Sequence, residues 1–558
     1  MNRSQRRRAA RTERRSAHKV AALGSVAVLA SASAGAALVL SSAPAGANAP
    51  IVVDSLTDDG TGTTLRDAID QANTDSGQDQ ITFSVSGTIT LTADLPAITE
   101  AVHVNGPGAT GLTIDGADTF RVFELYHVAA SEGTVEITGL TITHGNANGN
   151  FDAGSGGAIQ LYTSDADMLV QDVALTDNYS RADGGAIQLF RASGDIVVDR
   201  VTFTDNYASE EGGGLYFYGS GSASLTVSNS TFSGNHSGND GGGIFVRSDG
   251  AATVTVSDST ITDNLSDGDG GGICSFYGIR MTVERTTVDG NEATGSRKGG
   301  GIAVYGSDSF VLVNSTVSNN TAGYAGGGLY VNSYDNRIVQ STISGNTADK
   351  GGAMFVGRFA GLDVEMSTIT GNTASGDVDG IWVWAGEAIS SVSTAPGRRG
   401  GSSVRPSVVT NPTGTLSLIG SIVAGNGDLD VGSYSAPPAI EVLALASVVG
   451  AVEPINVVVT DEGGSQLDVA AADLHLGPLA DNGGPTKTHA LLPGSIALDA
   501  GPAAADLPVF DGSEYDQRGT PYVRVHNGVA DVGAYEEQPE PTPPGPAPEP
   551  TPEPTFTG

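Results

Sequence analysis

At 558 residues the chain has room for more than one domain, yet 78 of those residues are glycine, about 14% against the ~7% of an average protein, which excludes an ordinary helical globule. The formal charge is −36, and eight of the 27 Lys and Arg sit in the first 49 residues. The rest therefore offers no basic footprint to nucleic acid and disfavours acidic polymers. With 39% hydrophobic and 16% charged residues, the chain is too apolar to be disordered throughout.

In chain order, Arg3 to Lys19 form a basic cluster ahead of the apolar run Val20–Leu40 and Ala45-Gly46-Ala47. This reads as an export signal over residues 1–49, cleaved after Ala47 and leaving no membrane span. An uncleaved anchor is the other reading. Cys274 is the single cysteine, so no intrachain disulfide is available and stability outside the cell must come from architecture. Residues 50–134 read as an N-terminal cap with the first irregular coils. Within them the spacing of Leu65, Ala68, Ile69 and Ala72 predicts one short amphipathic helix, placed to cover an open sheet edge.

Residues 135–384 repeat. Gly-Gly-(Gly/Ala)-(Ile/Leu/Met) tetrads begin at Gly156, Gly184, Gly212, Gly241, Gly270, Gly299, Gly326 and Gly351, in steps of 25 to 29 residues, and Asp379-Gly380-Ile381-Trp382 is a degenerate ninth copy. Ahead of each stands Asn146, Asn178, Asn206, Asn235, Asn264, Asn291, Asn320, Asn346 or Asn372. Between these landmarks run short β-branched stretches of period two, about three strands per repeat. A unit this short cannot enclose its apolar face and must stack on its neighbours. The predicted fold is all-β, a right-handed parallel β-helix of ~28-residue coils, with the asparagines as a structural ladder at a sharp turn. Residues 385–413 read as an insertion loop, 414–473 as the last irregular coils, 474–537 as a C-terminal capping module and 538–558 as an extended proline-rich tail.

Gly-Gly-Ala-Ile at 156–159 and 184–187, alternating with Phe203-Thr204-Asp205-Asn206 and Phe232-Ser233-Gly234-Asn235, resembles the repeats of the polymorphic outer-membrane protein family, whose passengers are β-helical adhesins. Thr64-Leu65-Arg66-Asp67-Ala68-Ile69 is similar to a segment near the start of many secreted bacterial β-helix proteins. Asp481-Asn482-Gly483-Gly484-Pro485-Thr486, His489, Asp499-Ala500-Gly501, Asp516-Gln517-Arg518-Gly519 and Asp531-Val532-Gly533-Ala534-Tyr535-Glu536 resemble the choice-of-anchor Q module, which terminates β-helix surface proteins. No sorting motif of the LPxTG type follows it. A catalytic pairing of His489 with Asp499 competes there with a hydrogen-bonded structural cap.

On the strand after each Gly-Gly, the first and third positions (Ile159/Leu161 through Ile381/Val383) are apolar in seventeen of eighteen cases, Ser275 being the exception. They are expected inside. The second and fourth then point outward, and eleven of these eighteen are aromatic: Tyr162, Phe190, Tyr216, Tyr218, Phe245, Phe276, Tyr305, Tyr330, Phe355, Trp382 and Trp384. Stacked at rung spacing they form an expected exposed stripe, suited to the faces of sugar rings or to a protein interface. Mutual stacking or coverage by another segment is the alternative. In the turn before Gly-Gly, Asp183, Glu211, Asp240 and Asp269 fall on successive rungs. Solvation tolerates carboxylates ~5 Å apart, at about 0.8 kcal/mol of repulsion in bulk water, and calcium suits such oxygen-rich turns. No cofactor is required by this reading.

The expected function is a secreted or cell-surface rod, a non-catalytic adhesin binding an extracellular glycan or surface protein. The alternative is a calcium-assisted polysaccharide lyase or glycoside hydrolase of the pectate-lyase-like β-helix class, with Lys298 or Lys350 as base. The repeat region carries no polygalacturonase-like series of acidic motifs, and fold alone does not raise that reading.

Overall fold

The structure is a computed structural model that describes residues 48–538, apart from 60–61, 76, 150–153, 358–360, 385–414, 434–439, 455, 508–512 and 527. The expected export signal, insertion loop and proline-rich tail lie outside the described residues, but for 48–49 and 538.

One turn of the chain is typified by the strands Ile187–Ala192, Asp195–Asp199, Thr202–Thr204 and Tyr207–Ala208. Each pairs in parallel with its counterpart one turn on: Ile187 lies beside Leu215, Ile196 beside Leu225, Phe203 beside Phe232 and Tyr207 beside His236. The result is a right-handed parallel β-helix of about 13 coils, whose strands stack into sheets of eleven, fifteen, fourteen and nine strands. A coil thus has four strands rather than the three expected. The fourth is only two residues long, too short to show an alternation in sequence.

The inward columns are as the periodicity requires. Ile244, Ile273 and Ile302 are adjacent in register and fully buried. Each buried aliphatic side chain contributes about 1.5–3 kcal/mol relative to exposure, and adjacent coils share the contact. Ser275 interrupts the column but shares a hydrogen bond of 3.1 Å with Ser307. At the N-terminal end, helix α1 (Leu65–Ala72) buries Leu65, Ala68, Ile69 and Ala72, with Thr64 and Asp67 forming a capping box.

The asparagine ladder is continuous from Asn178 to Asn372. Each Nδ2 donates to the Oδ1 one coil on, at 2.9 Å for the seven links up to Asn346→Asn372, and each Oδ1 also accepts the backbone N–H of the preceding asparagine. Asn146 is not part of it. Its pairing partner is Tyr179, so Gly145 holds the ladder position and donates its N–H to Asn178 Oδ1. At the other end the ladder gains Asn426, whose Nδ2 donates to Asp430 Oδ1 at 2.8 Å.

The C-terminal segment starts with an antiparallel pair, Leu476–Ala480 and Thr488–Leu491, and docks along the flank of the coil. It reads the outward threonines of the fourteen-strand sheet. Gln517 Oε1 accepts from Thr342 Oγ1 at 2.6 Å, its Nε2 donates to Thr316 Oγ1 at 3.0 Å, and the Ala534 N–H donates to Thr368 Oγ1. Beyond these rungs Ile422 and Val448 join Leu474, Leu491, Ala497 and Val532 in a separate apolar cluster.

Candidate functional site

The tetrad glycines shape the outer face of the eleven-strand sheet. Gly184 has φ +66°, and a Cβ there would collide with the Ile187 carbonyl. The turn therefore folds back over the strand that follows it. A Cβ on Gly185 would collide with the Gly213 carbonyl one coil on, so the second glycine is set by close backbone approach.

This fold-back overturns part of the expected stripe. The first outward column is covered by the preceding turn: Tyr216, Phe245, Tyr330, Phe355 and Trp382 are 1–5% exposed. Together with Cys274 and Ala303, and with Ala325 and Val378 from the turns, they form a second core outside the coil. Tyr216 and Phe245 stack at 5.3 Å, and Phe355 lies 4.4 Å from Trp382. These five rings are structural. They lie where a reading of alternation alone places solvent.

The second outward column stays half exposed, at Tyr162, Phe190, Tyr218, Phe276, Tyr305 and Trp384. Tyr126, 44% exposed, extends it by one coil and stacks on Tyr162 at 5.7 Å and 8°. Sequence reading missed Tyr126 because its coil lacks the Gly-Gly tetrad. The signal was Phe123-Glu124-Leu125-Tyr126, which pairs residue for residue with Ile159-Gln160-Leu161-Tyr162. The rings continue through Tyr162–Phe190 at 5.2 Å, Phe190–Tyr218 at 5.3 Å, the Arg247 guanidinium 4.4 Å over Tyr218, and Phe276–Tyr305 at 4.8 Å.

Two rows of carboxylates border this column. The row before Gly-Gly comprises the predicted Asp183, Glu211, Asp240 and Asp269, with Glu210 beside them. They are not simply solvated, as expected from bulk-water repulsion, because the fold-back carries them partly under the turn. Asp240 Oδ1 accepts the Asp269 N–H at 2.7 Å, and Asp269 Oδ1 accepts the Lys298 N–H at 2.8 Å. The row therefore ties successive turns together. Burial, then the neighbouring Glu211, pushes the Asp183 carboxyl well up. Burial, reinforced by Asp269 and Glu211, pushes Asp240 up to about 7. Of the four predicted metal ligands, Asp183 and Glu211 come together with Glu210, their nearest oxygens within 4.8 Å of one another. Calcium takes six to eight oxygens, so these three carboxylates supply only part of such a set. Asp240 and Asp269 follow on the next coils.

Lys298 Nζ lies 4.7 Å over the Tyr330 ring, and Lys350 Nζ lies 5.3 Å over Trp382 and 3.7 Å from Asp377. Both ammonium groups sit on aromatic faces. Burial pushes the Cys274 thiol well up, with the charges of Asp240 and Asp269 adding to it, so it is not thiolate-like. His489 and Asp499 make separate bonds: His489 Nε2 shares one with Ser344 Oγ at 2.8 Å and Nδ1 one with the Gly477 carbonyl, while the Asp499 N–H donates to Asp531. His489 bridges the C-terminal segment to the coil.

A family model described as "Right handed beta helix region" matches residues 99–264 and 236–394. Among solved structures, the crystal structure of pectate lyase Pel9A is 14% identical, covers 88% of this chain and 97% of its own, and superposes with a TM-score of 0.33. No curated protein matches.

Proposed function

The chain belongs to the right-handed β-helix family, and from that premise we propose that it is a secreted, surface-associated binding rod that holds an extracellular glycan along its half-exposed ring column. The carrying observation is that column: Tyr126, Tyr162 and Phe190 stack in register at 5.7 and 5.2 Å along one outer face, and Tyr218 continues the column edge-on at 5.3 Å. Aromatic faces at a fixed repeat suit successive apolar sugar faces. Secretion rests on the arginine-rich and then apolar N-terminal stretch. The adhesin assignment and surface association rest on the resemblance of the Gly-Gly-Ala-Ile repeats and of residues 474–537 to their respective families. Calcium at Asp183, Glu210 and Glu211 belongs to the same reading as a structural ion beside the ring column.

The test is affinity electrophoresis of the intact chain through gels containing neutral cell-wall and host glycans. Retention that is lost in Tyr126→Ala/Tyr162→Ala, with the melting temperature held, supports the reading. Retention unchanged in that variant would remove it.

A further inference from the structure

The face that carries the ring column has a charge as well as a shape. After each Gly-Gly strand the chain turns outward again, and these turns place Asp165, Asp167, Asp195 and Asp249 exposed on the far side of the ring column. The column thus runs between two carboxylate rows, one before and one after each strand. Hydroxyls from the rings reach both: Tyr218 donates to Asp249 at 3.3 Å, and Tyr305 donates to Asp269 at 2.5 Å.

The chain also displays what this environment accepts. Arg247 lies 4.4 Å over Tyr218 and Lys298 5.6 Å over Tyr305, each a cation on a ring face with carboxylates nearby. Such contacts strengthen as the cation is desolvated. A negative potential focused along a groove attracts positive ligands and repels negative ones.

Resting on the glycan reading above, we infer that the ring column selects a polysaccharide bearing free amino groups, an amino-sugar polymer, over its acetylated or acidic counterparts. Sugar faces would stack on the rings, and ammonium groups would meet the exposed carboxylates of Asp165, Asp167, Asp195 and Asp249. Acidic polysaccharides are repelled by the same exposed row.

The probes are a glucosamine hexamer, an N-acetylglucosamine hexamer and polygalacturonate, titrated calorimetrically against the intact chain at mildly acidic pH, where the amines are charged. The second protein is Asp165→Asn/Asp167→Asn/Asp195→Asn. These side chains are exposed, and Asn keeps the acceptor that Asp167 offers to the Asp195 N–H. The expected result is that the glucosamine hexamer binds roughly tenfold more tightly than the acetylated one, the factor given by about 1.4 kcal/mol of charge attraction. That advantage disappears in the triple variant and at high salt. Equal affinity for the two hexamers, lost from both in Tyr126→Ala/Tyr162→Ala, would overturn the charge selection and leave the glycan reading standing. Preference for polygalacturonate would overturn it too. Binding of no probe, with no retention on neutral glycans, would overturn both.

Discussion

Two asparagines that look alike in sequence should respond unequally to alanine. Asn264 is buried, and its Oδ1 accepts both the N–H and the Nδ2 of Asn235, at 3.0 and 2.9 Å, while its Nδ2 donates to Asn291 Oδ1 and to the Phe232 carbonyl. Asn264→Ala removes all four bonds. Asn235 Nδ2 keeps the Phe203 carbonyl, and Asn291 Oδ1 keeps the backbone N–H of residue 264, but the Asn235 backbone N–H loses the acceptor it has across the coil. An orphaned buried group costs about 1–3 kcal/mol and each lost net hydrogen bond about 1 kcal/mol, so a total near 3 kcal/mol is expected. Asn146, one residue out of register, holds the Asp118 carbonyl through Nδ2, and its Oδ1 accepts nothing. Asn146→Ala should cost under about 1 kcal/mol. Guanidinium unfolding of both variants, compared by midpoint at unchanged m-value, decides the matter. Equal shifts would refute the argument that register, rather than residue type, sets the contribution.

Burial pushes the Asp240 carboxyl up to about 7 from its ordinary value of 3.8, so the native state holds a proton that the unfolded chain releases, and stability falls as pH rises across that window. Asp240→Asn should flatten the fall and raise the unfolding free energy at neutral pH by on the order of a few kcal/mol; an unchanged pH profile would contradict it. Trp382→Ala should cost about 3–5 kcal/mol because the ring is buried, whereas Tyr126→Ala should leave the melting temperature nearly unchanged and affect only glycan retention. Gln517→Ala should loosen the C-terminal segment, seen as faster proteolysis within residues 474–537 while the coil stays resistant; equal digestion rates would show that the Gln517 fork does not hold it. Calcium should raise the melting temperature, and Asp183→Asn should abolish the rise. No rise in the unmodified chain would exclude an ion at that turn.

The coil was legible because its period is set by forces within each repeat. Inward isoleucines, tetrad glycines and asparagines recur as identical neighbours must when they touch across a ~4.8 Å rung, and the amphipathic helix Leu65–Ala72 buries the four residues its spacing picks out. Register was less legible. Asn146 and Tyr126 occupy coils without the tetrad, where one residue of slip moves every side chain to the other face, and only the partner strand reveals the alignment.

Exposure was the least legible property, for a reason the two outer faces make plain. Alternation states which side chains leave the coil and is silent about what comes over them. On the aromatic face, the cover is local: a positive-φ glycine such as Gly241 folds its own turn across the first outward column, burying Phe245 while Tyr162 is spared. On the threonine face, the cover comes from more than 140 residues away in sequence. Thr202 and Thr260 are exposed while Thr316, Thr342 and Thr368, at the same coil position, are buried beneath Gln517 and Ala534. The repeat keeps threonine through this boundary because a hydroxyl serves water and the docked segment equally well. It changes to Ile422 and Val448 only where the contact becomes apolar. A uniform column therefore does not imply a uniform surface, and the part of this rod available to a ligand follows from its covers as much as from its repeats.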